Sequence, residues 1–218
     1  MTTRTVTGAA VTPYKLAHIV LRVHNLQRSI DWYSTVLGAR VAALGPNFGA
    51  ITYDEEHHRI GLLEVPGDDV VPTDTFGASE LIAGDVERKA SAAADNMQFS
   101  TLPGLEHVAF TFVGLDDLLN TYVRLRNQDI VPLVAVNHGP TISFYYTDPD
   151  GNRVELQIDT MPMDMAQEFL DSPEGRANVV GVLLDPEELL RRYEAGEPVR
   201  ELVTWTAWQE RQPAQTGS

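Results

Sequence analysis

The feature that most restricts how this chain can fold is an order of hydrophobic periodicities that occurs twice. Residues 14–66 open with an apolar, β-rich run, Leu16-Ala17-His18-Ile19-Val20-Leu21-Arg22-Val23. An amphipathic helix over about Leu26–Leu37 follows, with Ile30, Tyr33 and Leu37 on one stripe and Gly38 at its end. Strands near Val41–Leu44, Ala50–Tyr53 and Arg59–Val65 complete the unit. Residues 104–160 repeat this grammar. They begin Leu105-Glu106-His107-Val108-Ala109-Phe110-Thr111-Phe112 and continue with a helix over about Leu115–Gln128 carrying Leu118, Leu119, Tyr122 and Leu125. Strands near Val131–Val136, Thr141–Tyr146 and Arg153–Ile158 close the second unit. A β-α-β-β-β half of this size cannot bury its own sheet face, so two copies should share a core. The expected fold class is α+β, with two paired modules forming a curved mixed sheet and a C-terminal helical extension.

The remaining segments read differently. Residues 1–13 are a polar, flexible arm without the apolar core of a signal peptide. Residues 67–103 form an insertion longer than most loops, with a surface helix expected over Glu80–Ala94. In the extension, 161–218, Asp185-Pro186-Glu187-Glu188 is a helix start and Gly196 a stop after Leu189, Leu190 and Tyr193, while the end from Gln212 reads as frayed. Thirty-one acidic against 16 basic residues give a net charge of −15, which excludes nucleic-acid phosphates and anionic membrane surfaces as partners. No apolar run approaches the roughly 20 residues that span a bilayer. Cysteine is absent, so any metal is held by nitrogen and oxygen, which agrees with a cytoplasmic setting.

Chemistry concentrates in Asn137-His138-Gly139-Pro140-Thr141-Ile142-Ser143-Phe144-Tyr145-Tyr146-Thr147-Asp148-Pro149-Asp150-Gly151-Asn152-Arg153-Val154-Glu155. Two alternating strands flank an Asp-Pro-Asp-Gly turn, and alternation turns Glu155 away from Val154 and Leu156. His18 lies two residues into the first expected strand of one half, and His107 holds the matching place in the other. Pairing the halves by pseudo-symmetry sets those strands side by side. Two imidazoles and a carboxylate on one face leave coordination positions open, a set suited to Fe(II) binding a substrate and O2 together, and to Mn(II) as well. Each residue also has an ordinary reading. A lone strand histidine is usually a hydrogen-bonded core residue and a lone glutamate is usually solvated. The equivalent positions of His18 and His107 favour ligation. His57 reads as an exposed residue ahead of a strand, His138 as a turn histidine, Tyr145 as a half-buried strand aromatic, and His24 as part of the loop into the helix.

These residues resemble the type I extradiol ring-cleavage dioxygenases of the vicinal oxygen chelate superfamily, in the 2,3-dihydroxybiphenyl 1,2-dioxygenase branch. The segment from His138 through Phe144-Tyr145, Asp148-Pro149 and Gly151 to Glu155 fits that family's signature without a gap. Glu55-Glu56-His57-His58-Arg59-Ile60-Gly61-Leu62 resembles its paired-histidine segment, whose second histidine is catalytic. The likeness covers about Leu16 to Asp159. It implies the vicinal oxygen chelate fold around a metal site, with His18, His107 and Glu155 as ligands and His58, His138 and Tyr145 as catalytic groups. It implies a non-haem iron(II) enzyme that opens a catechol beside its hydroxyl pair, inserting both oxygen atoms. Many members carry four modules; this chain has room for one pair, like the short members. Glu106 stands where long members often have another histidine. Two rivals share the fold. A glyoxalase-like isomerase or epimerase would use Glu64 as a fourth ligand, and a drug-binding resistance protein would need no metal. The edge strands and the extension suit subunit contacts in a homo-oligomer.

Overall fold

The computed structural model describes residues 12–65, 104–178 and 180–209. The helix expected over 80–94, the insertion around it and the terminal segments read as an arm and a frayed end lie outside those residues, apart from positions 12 and 13. The chain divides into two compact units, residues 1–66 and 67–218.

In the first unit, β1 (Ile19–Val23), α1 (Leu26–Leu37), β2 (Arg40–Leu44), β3 (Phe48–Thr52) and β4 (Ile60–Glu64) give a four-stranded sheet in the order β1-β4-β3-β2. β1 runs parallel to β4, and the other pairs are antiparallel. The Asn25 side chain caps α1 by accepting from Arg28 N at 2.9 Å, and Gly38 ends the helix at φ 65°, where a left-handed residue is needed. Leu26, Ile30, Tyr33 and Val36 are buried, so the stripe closes on Val36 rather than the expected Leu37. The helix lies close to the sheet: a Cβ on Gly49 would stand 2.9 Å from Ile30 Cδ1. Leu21, Val23, Ile51, Ile60 and Leu62 form the sheet side of this core.

The second unit repeats the order with β5 (Val108–Phe112), α2 (Leu115–Arg126), β6 (Val134–Asn137), β7 (Thr141–Thr147) and β8 (Arg153–Asp159). Acidic Asp116 and Asp117 open α2 while Arg124 and Arg126 close it, matching the helix dipole. Leu118, Leu119, Tyr122 and Leu125 share the buried set with Ile142, Phe144, Tyr146, Val154, Leu156 and Ile158, and the Tyr122 and Phe144 rings meet edge to face at 5.6 Å. The turn between β7 and β8 is built by Asp148. Its Oδ1 accepts from Asp150 N and Asn152 N at 2.9 and 2.7 Å, and Gly151 adopts φ 89°. That turn fixes the register in which Tyr145 faces Glu155.

The extension is not purely helical. After α3 (Met163–Asp171) and α4 (Pro173–Ala177), a short strand β9 (Val182–Leu183) pairs antiparallel with β6, giving the order β5-β8-β7-β6-β9. Three helices follow: α5 (Pro186–Glu194), α6 (Val199–Leu202) and α7 (Thr206–Gln209). Asp185 caps α5 through Glu187 N at 2.9 Å, and Gly196 at φ 83° follows its end. Glu187 ties α5 to α2: Tyr122 Oη donates to its Oε1 at 2.6 Å, and Arg126 Nη1 contacts both carboxylate oxygens. Burial and that carboxylate push the Tyr122 hydroxyl well above its ordinary range, which keeps it a donor. Among the described residues, no helix is long and apolar enough to cross a membrane.

Candidate metal centre and its hydrogen-bond relay

Strand parity decides which side chains of the second unit can meet. Val154, Leu156 and Ile158 take the helix-covered face of β8, so Glu155 takes the other. Its register partners are Ala109 on β5 and Tyr145 on β7, and His107 lies two residues before Ala109 on the same face. His107 Nε2 stands 3.0 Å from Glu155 Oε2. Glu155 is 4% exposed, and its other oxygen accepts from Tyr145 Oη at 3.1 Å. His138 follows β6 in the turn to β7, with the parity of Val134 and Val136, the face of Tyr145. Its Nε2 is 3.0 Å from Tyr145 Oη, and its Nδ1 is 2.5 Å from the Val180 carbonyl oxygen. One face of this sheet thus carries a continuous series, Val180 carbonyl, His138, Tyr145, Glu155, His107. Burial and the Glu155 charge raise the Tyr145 hydroxyl above its ordinary range, so it remains a donor. Burial lowers His138 below its ordinary value and favours the neutral ring.

The first unit gathers three imidazoles. The His18 and His58 ring centroids are 4.3 Å apart with a 35° tilt, and His18 and His57 are 6.4 Å apart. His57 Nδ1 and His58 Nδ1 approach to 2.5 Å, and no hydrogen bond to Nε2 of His58 occurs among the described residues. Desolvation, and then the neighbouring His18 and His57, hold His58 below its ordinary value. Arg59 fixes the approach to His18: Nη1 donates to Leu16 O and Ala17 O at 2.9 and 3.1 Å while Nε pairs with Asp54 Oδ2. His18 and His107 each stand one residue before their strand rather than two residues into it. In β1 the ladder starts at Ile19, whose N–H donates to Arg59 O at 3.0 Å.

Glu64 has a different job from the one an isomerase would need. It shares the parity of Ile60 and Leu62, the helix-covered face, and its Oε2 accepts from Leu26 N at 2.8 Å in the first turn of α1. At the position equivalent to Glu155, two residues past Arg59 as Glu155 is two past Arg153, the first unit has Gly61. Glu64→Ala is therefore expected to lower stability by about 0.5–2 kcal/mol, the size of a lost helix cap, with bound metal unchanged. Thermal melts beside metal analysis check this, and loss of metal would return Glu64 to the ligand set.

The model of the glyoxalase/bleomycin resistance protein/dioxygenase superfamily matches residues 15–156. The chain belongs to this superfamily. Two curated relatives come from Rhodococcus globerulus. Biphenyl-2,3-diol 1,2-dioxygenase 2 is 39% identical over 89% of this chain and 88% of its own length. Biphenyl-2,3-diol 1,2-dioxygenase 3 is 38% identical over 91% of this chain and 90% of its own. Among solved structures, a glyoxylase/bleomycin resistance protein/dioxygenase domain from Frankia sp. EAN1pec superposes with a TM-score of 0.48 at 16% identity, covering 68% of this chain and 99% of that one.

Membership of the superfamily with dioxygenase relatives implies a divalent metal, a small-molecule substrate and O2. The donors found here suit such an ion. A buried carboxylate and an imidazole nitrogen face each other at 3.0 Å, and Tyr145 Oη lies 3.1 Å from the other carboxylate oxygen. Within either unit alone, no set of three or more His, Asp or Glu side chains placed to hold a metal occurs among the described residues.

Sequence reading missed Arg59, Arg153 and the Val180 carbonyl, and the capping role of Glu64. Arg59 and Arg153 occupy equivalent places, and Arg153 Nη1 pairs with Glu106, next to His107, at 2.6 Å. Their recurrence in both halves was a usable signal. The Val180 carbonyl left no signal, because any residue carries one. Glu64 was assignable by parity with Ile60 and Leu62.

Proposed function

We propose that this protein is a non-haem iron(II) extradiol dioxygenase. It opens a catechol-type ring beside its hydroxyl pair, inserts both atoms of O2 and yields a 2-hydroxymuconic semialdehyde-type product. His18, His107 and Glu155 hold the iron, and His58, His138 and Tyr145 act on the substrate. The observation that carries the reading is Glu64. With that carboxylate committed to the start of α1, an isomerase's fourth ligand is missing and a three-ligand set remains, with positions open for a diol and a gas molecule. The two dioxygenase relatives, matched over about nine-tenths of the chain, point to the same chemistry.

When bound, Fe(II) supplies the Lewis acidity that favours ionisation of the diol and a common site for diol and O2. The protein's own groups do the rest. Tyr145, kept protonated by burial and by Glu155, orients a substrate hydroxyl by accepting from it at the phenolic oxygen. His138 braces that tyrosine from behind through Nε2. His58 carries the proton: its Nε2, the nitrogen turned away from His57, takes one from a substrate hydroxyl and returns it to the opened chain. His18 and His107 ligate only as neutral rings, so activity falls in acid.

The test is anaerobic loading with Fe(II), addition of a panel of monocyclic and bicyclic catechols, and admission of O2. The expected result is one equivalent of O2 consumed per diol and a yellow ring-opened product. Isomerisation of a thiohemiacetal without O2 uptake, or drug binding with neither metal nor turnover, would replace this reading by one of its rivals.

A further inference from the structure

The extension reaches the His138 turn at several points, and together they act on one ring. Asn178 closes a small turn by accepting from Gly181 N at 3.0 Å and donating to Gly181 O at 2.7 Å. Gly181 adopts φ 110°, and a Cβ there would lie 2.6 Å from Asn137 O and 3.1 Å from His138 Cα. The backbone therefore passes as close to the histidine as glycine allows. Asn137 is fully buried: its Nδ2 donates to Val203 O at 3.0 Å and its Oδ1 accepts from Gly139 N at 2.8 Å. Phe169 covers Gly139, where a Cβ would lie 2.2 Å from the ring, and it packs in turn against Trp205 at 5.3 Å.

We propose that Asn178, Val180 and Gly181 set the tautomer of His138 and so make it the acceptor of the Tyr145 hydroxyl hydrogen. A carbonyl oxygen only accepts, so the contact with Val180 O puts the ring hydrogen on Nδ1. In the neutral ring Nε2 then carries a lone pair, and it faces Tyr145 Oη at 3.0 Å. Tyr145 has one hydroxyl hydrogen and two acceptors at nearly equal distance, His138 Nε2 and Glu155 Oε1, while the Ser143 side chain also hydrogen-bonds the hydroxyl. The Nδ1–H tautomer draws that hydrogen toward His138 and leaves the Glu155 lone pairs for a cation. The other tautomer would present an N–H to Tyr145 and turn the hydroxyl onto the carboxylate, in competition with the metal. His138 is half-buried among these partners, and its lowered protonation tendency supports the neutral ring. The extension thus serves as a positioning element acting through His138. This deepens the proposed dioxygenase reading and rests on its use of His138 and Tyr145.

The test uses nitrogen NMR of the intact, diamagnetic metal-free chain labelled at histidine, with His138 identified by its absence in His138→Gln. The expected spectrum shows Nδ1 protonated and Nε2 bare. Gly181→Ala, which must push the Val180 carbonyl off the ring, should convert it to a tautomer mixture. Asn178→Ala, a milder change at an exposed side chain, should do so in part and carries the test if Gly181→Ala does not fold. In the iron-loaded enzyme either variant should slow turnover by about 10-fold, the scale of a lost outer hydrogen-bond partner. Either should add less than about 2-fold in the His138→Gln background, because the two changes act through one group. A bare Nδ1 in the unaltered chain, an unchanged tautomer in the variants that fold, or losses that multiply in the double variant would each overturn the proposal. A protonated Nδ1 in a chain that opens no catechol would instead overturn the dioxygenase reading alone.

Discussion

Glu155→Ala is expected to lose the metal and, with it, ring cleavage, while the chain still folds. The carboxylate is almost wholly buried in β8, flanked by β5 and β7, and it faces the side of the sheet away from the α2 core. Its removal leaves Val154, Leu156 and Ile158 in place on the packed side. What it strands is polar: Tyr145 Oη and His107 Nε2 each lose an acceptor, at 3.1 and 3.0 Å. Tyr145 retains His138, so the destabilisation stays near 1–3 kcal/mol rather than unfolding the unit. The effect on metal is much larger. A ligand supplies charge as well as a coordination position, so the loss of affinity should exceed the ~10–100-fold seen when only outer hydrogen bonds to ligands are removed. Metal analysis after gel filtration should find less than about 0.1 iron per chain against near-full loading of the unaltered protein. Glu155→Gln sharpens the result: the amide keeps the shape and an acceptor for Tyr145 but gives up the charge, so it should fold better than Ala yet still lose iron. A fully metallated Glu155→Ala protein would remove Glu155 from the ligand set, and the iron reading with it.

How much of this arrangement could be read from the residues depends on the range of the interaction. Helix α1 was legible from its apolar stripe and from Gly38, a local signal for a left-handed stop. Helix α5 was legible for the same reason through Asp185-Pro186 and Gly196. The β7–β8 hairpin was legible from its Asp-Pro-Asp-Gly turn, and alternation then placed Tyr145 and Glu155 on one face. Strand β9 was not. Two residues show no period, and their partners Val136 and Asn137 lie more than 40 positions earlier, so only tertiary pairing creates the strand. The Val180 contact has the same origin, since a backbone carbonyl has no residue type to read. The limits of β1 and β5 shifted because apolar residues such as Leu16 and Leu105 extend the hydrophobic run beyond the hydrogen-bonded ladder, and both are largely exposed. Periodicity reports which side chains are apolar, whereas a strand ends where its backbone partners end.

Replacing His58 with glutamine tests the other half of the chemistry, the movement of a proton rather than the holding of an ion. The ring is packed against His18 at 4.3 Å and joined to His57 through Nδ1, so two neighbours position it. Glutamine approximates the size and can still donate or accept a hydrogen bond, but it cannot carry a proton from one step to the next. Metal content and catechol affinity should therefore stay within about 3-fold of the unaltered enzyme, while kcat falls by around 10² or more, the scale of general acid–base assistance. Steady-state O2 uptake, with metal analysis and anaerobic catechol titration on the same preparation, separates the three quantities. The paired substitution His57→Gln is informative because His57 is two-thirds exposed and touches the same Nδ1. If His57 only orients its neighbour, this change should cost turnover much less than His58→Gln does. Equal losses from the two would mean that the pair works as one unit, and normal turnover in His58→Gln would take the proton-carrying role away from this ring altogether.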